Sequence, residues 1–284
     1  MSSYKPIDDR QVVNRAALPH IGSPANDSLD DIFTRIDALI GGGSSGPGYI
    51  SKNVSLASGN TSETVTFTAQ PDLSYVVLAM LENDVDSDPQ FQQVEITAKS
   101  TTGFTASWNI PLSTSNYSLN YIILPKWVSG AEIPISASAS DVAVTLPIPL
   151  NGVNYGIVGS LQNITDANPQ FQTTVVTNQT SNIFIDSWNA LTNDANYILS
   201  YLSNPTAQIS IGSGVSSITV TLPVAYGSNG YAVIASLSNV TDPSPKFQPL
   251  LITAKSSSQF TISFNTATPT ANYLLTYYAI SLTA

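Results

Sequence analysis

Two hydrophobic periods divide the chain. Between Leu29 and Ile40 apolar residues recur at Leu29, Ile32, Ile36 and Leu39, a 3-4-3 spacing widened by Phe33 and Ile40. This is the stripe of a short amphipathic helix. Ser28 and Asp31 have the capping-box spacing, Asp30 and Asp31 suit a helix N-terminus, and Gly41-Gly42-Gly43 ends the run. From Ile50 onward the period is two, which predicts strands at 50–57, 63–70, 75–82, 91–99, 104–109 and 116–123. Phe104, Ala106 and Trp108 fall on one side of a strand, and Tyr117, Leu119 and Tyr121 on one side of the next.

That pattern then recurs. The stretch Tyr75–Tyr121 returns as Tyr155–Tyr201 and Tyr231–Tyr277 without insertion or deletion. Shared positions include Asn83, Asn163 and Asn239, then Asp86, Asp166 and Asp242, then Pro89-Gln90-Phe91-Gln92, Pro169-Gln170-Phe171-Gln172 and Pro245-Lys246-Phe247-Gln248. Three copies of one module follow directly. The expected core of each comprises Phe91, Trp108 and Tyr117; Phe171, Trp188 and Tyr197; and Phe247, Phe264 and Tyr273. In the second copy Asp186 interrupts the apolar series Phe184, Asp186, Trp188, which predicts a face only partly buried there.

The fold expected is mainly β: three tandem small antiparallel six-stranded β-sandwich modules preceded by an N-terminal arm and one short amphipathic helix. The arm occupies 1–27, the helix 28–40 and a Gly/Ser linker 41–49; the modules occupy 50–125, 126–204 and 205–284. Short proline-bearing joints, Pro125 to Pro134 and Asn204 to Ala207, favour an elongated row. The helix seam at Leu29, Ile32, Ile36 and Leu39 suits either a helix lying on the first module or a short parallel bundle. The bundle, as a homotrimer, is the expectation carried forward.

Composition narrows the function. The 284 residues carry a formal charge of -10 with nine Lys and Arg, too few for clustered phosphate contacts, so nucleic acid is excluded as a partner. The opening MSSYKPIDDRQ lacks the apolar core of a signal peptide, and no run is long and apolar enough to span a bilayer. With no cysteine there is no disulfide or thiolate site. A single histidine, His20, lies in the arm, which leaves no Ser-His-Asp set and no histidine-based zinc site. Asp84-Val85-Asp86-Ser87-Asp88 has the alternation of a calcium loop, yet only Asp86 recurs in the other copies. A turn in which Asp86 bonds local backbone is the reading adopted, with no metal, no cofactor and no catalytic residue expected.

Glu63-Thr64-Val65-Thr66-Phe67, Tyr75-Val76-Val77-Leu78-Ala79, Thr102-Gly103-Phe104-Thr105 and Asn116-Tyr117-Ser118-Leu119-Asn120-Tyr121 resemble the H-type lectin domain pattern. That resemblance implies a six-stranded antiparallel sandwich that assembles as trimers, galactose-type sugars as ligands of its binding members, and kinship with fibre and spike proteins of bacterial viruses. The overall plan also resembles a virion fibre or capsid-decoration protein. It implies a non-enzymatic structural protein on the virion surface, attached to a capsid or tail protein through residues 1–27. A host-surface glycan is its further expected partner, and a carbohydrate-binding lectin is the alternative.

Overall fold

The computed structural model describes residues 50–282 except 71, 127–129, 147–154, 164–168, 204–206 and 227. The chain divides into two units, Met1–Tyr49 and Ile50–Ala284. The expected arm, the helix bearing Leu29, Ile32, Ile36 and Leu39, and the linker lie outside the described residues.

Among the described residues eighteen strands fall six to a repeat. The first repeat has β1 (Ile50–Ser55), β2 (Ser62–Thr66), β3 (Tyr75–Glu82), β4 (Glu95–Ser100), β5 (Gly103–Ser107) and β6 (Ser118–Pro125). The second has β7 (Gly130–Pro134), β8 (Asp141–Thr145), β9 (Ile157–Asn163), β10 (Thr174–Gln179), β11 (Ile183–Trp188) and β12 (Tyr197–Ser203). The third has β13 (Ala207–Ile211), β14 (Ser217–Thr221), β15 (Tyr231–Ser238), β16 (Leu250–Lys255), β17 (Gln259–Phe264) and β18 (Tyr273–Ser281). Each repeat lays its strands into two antiparallel three-stranded layers. The inner layers are β1-β6-β3, β7-β12-β9 and β13-β18-β15, and the outer layers are β2-β5-β4, β8-β11-β10 and β14-β17-β16.

The repeats are not separate sandwiches in a row. β3 of the first repeat pairs in parallel with β16 of the third, and β15 of the third pairs in parallel with β10 of the second. Backbone bonds from Asn83 N to Ile252 O and from Asn239 N to Val176 O, each 2.8 Å, extend these junctions. At the remaining junction β9 of the second repeat packs beside β4 of the first without a ladder. Two six-stranded and two three-stranded sheets result. Every inner layer therefore meets the outer layer of another repeat, and the three contacts close a propeller-like ring.

The sequence contains the reason. In β3 and in β15 all residues but one are buried, whereas β2, β8 and β14 keep mostly exposed or half-exposed positions. Tyr75, Val77 and Leu81 join the core of their own repeat, so strand alternation turns Val76, Leu78 and Met80 toward the other repeats. A strand apolar on both faces needs cover on both faces. An elongated row would leave the second face in water, and modules this small have little other core to offset that. Gln162 Nε2 donates to Val77 O at 2.6 Å and Ser236 Oγ to Ile157 O at 2.9 Å, so buried polar groups also bridge the inner strands.

Within each repeat the core follows the expected residues with two corrections. Trp108, Tyr117, Trp188, Tyr197, Phe264 and Tyr273 are buried. The edge-on pairs Phe104–Tyr121, Phe184–Tyr201 and Phe260–Tyr277 recur with ring centroids 5.1, 5.0 and 5.1 Å apart. Phe91, Phe171 and Phe247 are half-buried, Phe91 packing against the edge of its core, and the residues after them, Gln92, Gln172 and Gln248, are the buried ones. Burial alternates through 91–94 ahead of the ladder, with Gln92 and Val94 as the inner residues. The second correction is Asp186, which is fully buried rather than at a half-open face. Gly159 makes the room: a Cβ there would meet Asp186 Oδ2 at 2.5 Å.

Candidate functional site

The residues common to the copies converge at one end of each repeat, where the β3–β4 and β5–β6 loops and their counterparts meet. In the first repeat the Tyr117 hydroxyl accepts a hydrogen bond from Gln90 N, Gln92 Oε1 accepts from Ile110 N at 2.8 Å, and Gln90 Oε1 accepts from Ser113 N at 2.7 Å. Trp108 Nε1 donates to Asn60 O at 2.9 Å. Tyr197, Gln172 and Trp188 repeat this with Gln170 N at 2.6 Å, Ala190 N at 3.0 Å and Ala139 O at 3.0 Å. In the third repeat Tyr273 accepts from Lys246 N, and Gln248 Oε1 from Thr266 N at 3.1 Å. The most constant signature thus ties two loops together through otherwise unpaired backbone amides.

Asp86 locks the same end. It accepts from Asn83 Nδ2 at 2.8 Å, Thr114 Oγ1 at 2.7 Å and Asn116 Nδ2 at 2.5 Å, and Asp242 accepts from Asn239, Thr270 and Asn272 at 2.7, 2.6 and 2.5 Å. Bonds from Asn83, Thr114 and Asn116 hold the Asp86 carboxyl below the ordinary carboxylate range, and those from Thr270, Asn239 and Asn272 do so for Asp242. The expected partner was local backbone; that role belongs instead to Asn83 Oδ1, which accepts from Asp86 N at 3.0 Å. Asp84 and Asp88 point into solvent, and among the described residues no group of three His, Cys, Asp or Glu could hold a metal. Asp166 lies outside the described residues.

Around these fixed turns the copies differ. Val85 and Ile110 are exposed in the first repeat, Leu191 in the second and Val240 in the third. The described loop ends thus carry different surface residues on a common frame of turns.

The junctions between repeats hold charged residues that sequence reasoning missed. A β-bulge recurs between Ile96 and Ala98, Val176 and Asn178, and Ile252 and Ala254. The extra residue resets the alternation beyond it and aims Lys99, Gln179 and Lys255 at the neighbouring repeat. Lys99 pairs with Glu132 of the second repeat, whose other oxygen is 2.9 Å from Lys126. Burial pulls the Lys99 ammonium below the ordinary lysine range, against the opposing pull of Glu132. Gln179 and Gln208 both donate to Tyr155 O, at 2.5 and 3.3 Å. Lys255 pairs with Glu82 of the first repeat at 2.6 Å. Register places Asn53, Glu132 and Gln208 at one repeat position, and Asn120, Ser200 and Thr276 at another. Each junction therefore has its own chemistry, and each buried lysine meets its acid only in the observed cyclic order.

Where the inner strands meet, Met80, Gln92, Ser160, Thr174 and Ser236 line a cavity of about 40 Å³. That is room for a few waters and too little for a sugar ring or cofactor. Comparison with known proteins finds no matching family model, no matching curated protein and no matching solved structure.

Proposed function

We propose that the protein is a non-enzymatic virion structural protein, attached to a capsid or tail protein through residues 1–27 and presenting the closed β-ring as its outer head. The observation that carries this reading is the division of the chain into residues 1–49 and a closed β-ring unit whose repeats differ in their exposed apolar residues. A ring of that kind suits display and contact, including contact with a host surface. The polar groups common to the repeats hold turns in place, which supports a structural role over a chemical one. A homotrimer, in this reading, is the work of the helix expected at 28–40, because the ring completes a threefold arrangement within one chain. Trp108 and Trp188 pack in the repeat cores, which weighs against the lectin reading in which such rings stack on sugars.

Removal of residues 1–27 tests the anchor. The truncated protein is expected to keep its β-rich circular dichroism spectrum and to lose co-sedimentation with particles. Undiminished attachment of the truncated protein would sink the proposal.

A further inference from the structure

The junction of the first and last repeats carries a cluster that the other two lack. Glu82 Oε2 accepts from Lys255 Nζ at 2.6 Å, from Asn120 Nδ2 at 2.6 Å and from Asn53 Nδ2 at 3.1 Å. The side chains of Lys255 and Glu82 are 4% and 8% exposed, and Asn120 is fully enclosed. An amine, an acid and a carboxamide thus share one dry site, with the amine and carboxamide nitrogens on the same oxygen. Asn120 Oδ1 is buried without a hydrogen-bond partner.

We propose that this cluster forms an isopeptide bond between Lys255 and Asn120, with Glu82 as its catalytic acid and base. The Lys255 ammonium passes a proton to Glu82 along their hydrogen bond, which frees the amine lone pair. With the Asn120 amide turned over, the protonated Glu82 donates to Oδ1 and polarises the carbonyl. Nζ then attacks Cγ. Glu82 takes the second proton from Nζ and supplies one proton to Nδ2, the Cγ–Nδ2 bond breaks, and ammonia departs. One C–N bond forms as another breaks; one amide hydrogen stays on Nζ, three hydrogens leave with ammonia and one proton remains on Glu82. Nothing is oxidised or reduced. Burial keeps water from competing for the carbonyl.

The molecule contains its own comparison. Lys99 and Glu132 form the corresponding buried pair at the first-to-second junction, but Ser200 stands in the place of Asn120. Gln162, at the position of Glu82, donates its amide to Val77 O and keeps its own oxygen without a partner. Among the described residues, neither the amine nor the acid of that junction is hydrogen-bonded to a carboxamide. Gln179 stands where the second-to-third junction would need its amine. The reaction is therefore confined to the contact between the two repeats furthest apart in sequence.

Intact-mass measurement of the denatured full chain decides the matter. The expected mass is lower than the sequence mass by one ammonia, with tandem fragmentation locating a Lys255–Asn120 linked peptide. Lys255→Arg and Glu82→Gln are each expected to restore the full mass, while Lys99→Arg leaves the loss in place. Circular dichroism and gel filtration identify variants that fail to fold; should both fail, the wild-type mass and linked peptide still decide. An unreduced mass in folded, aged wild-type protein overturns the proposal, as does a link through Asn53 or an ammonia loss that persists in folded Glu82→Gln.

Discussion

Asp186 shows what one residue does when its neighbours are copied and it is not. The other repeats have Ala106 and Ile262 at this position and Ala79 and Ala235 at that of Gly159, whereas the second pairs an acid with Gly159. Burial pushes the Asp186 carboxyl up to about 7, against a weaker opposing bond from the backbone of Ser187. The folded protein therefore holds this proton over a range in which the unfolded chain has lost it. Stability from this group is complete below the ordinary aspartate value, declines as pH rises toward 7 and is gone above it, a span worth roughly 4 kcal/mol. Asp186→Asn should flatten that decline, read as the slope of urea-unfolding free energy between pH 5 and pH 8, on the order of 1 kcal/mol per pH unit in the parent. An unchanged slope would assign the dependence to another group. Asp86 and Asp242 act with the opposite sign: their lowered values favour the folded state at neutral pH, and that contribution disappears on acidification. The sequence revealed that Asp186 broke an apolar series but not that Gly159 received it, because the two lie on different strands and only packing joins them. The inward turn of Gln92 in place of Phe91 was hidden for a related reason. Burial alternates at 91–94, but its inner phase is set by the loop amide that Gln92 accepts from, Ile110 N, which is distant in sequence.

At the scale of strands, most of the fold was legible. The segments read at 75–82, 104–109 and 116–123 meet β3, β5 and β6 to within a few residues, because turns of Asn, Gly and Ser bound them and alternation marks their faces. The difference between inner and outer layers was also written there. Tyr75–Glu82 and Tyr231–Ser238 run almost without a polar residue, while Ser62–Thr66 and Ser217–Thr221 alternate. Continuous apolar strands ask for two covered faces, and the partner that covers the second face is long-range information. Glu82 at the end of such a strand was the most readable sign of a junction. The charged junctions can be tested by breaking one. Lys99→Met should leave Glu132 buried with only the partly exposed Lys126 beside it, at a cost on the order of 3 kcal/mol in chemical denaturation. Adding Glu132→Leu should recover most of that loss, since a matched apolar pair removes the uncompensated charge. A double variant no more stable than Lys99→Met would show that the pair does more than satisfy its own charges.

For the whole molecule, the ring changes what three copies mean. A linear array would add modules independently, but here each repeat lends its outer layer to another, so no repeat can leave without uncovering two apolar faces. Sequence repetition exposed the threefold count and could not show closure, because closure depends on which faces meet. Ser51 Oγ lies 3.5 Å from Ile280 O, so the strand that opens the ring and the strand that ends it touch. Connectivity along the chain is then a convention of where the ring was cut. A circular permutant that joins Leu282 to Ile50 by a short glycine-serine bridge and begins at Gly130 should fold to the same monomeric ring. Its thermal midpoint should lie within a few degrees of that of the unpermuted ring unit. Loss of cooperative unfolding in that permutant would instead give the first repeat a privileged place. If the permutant folds, the repeats have no first or last member, and any one of them could begin the chain.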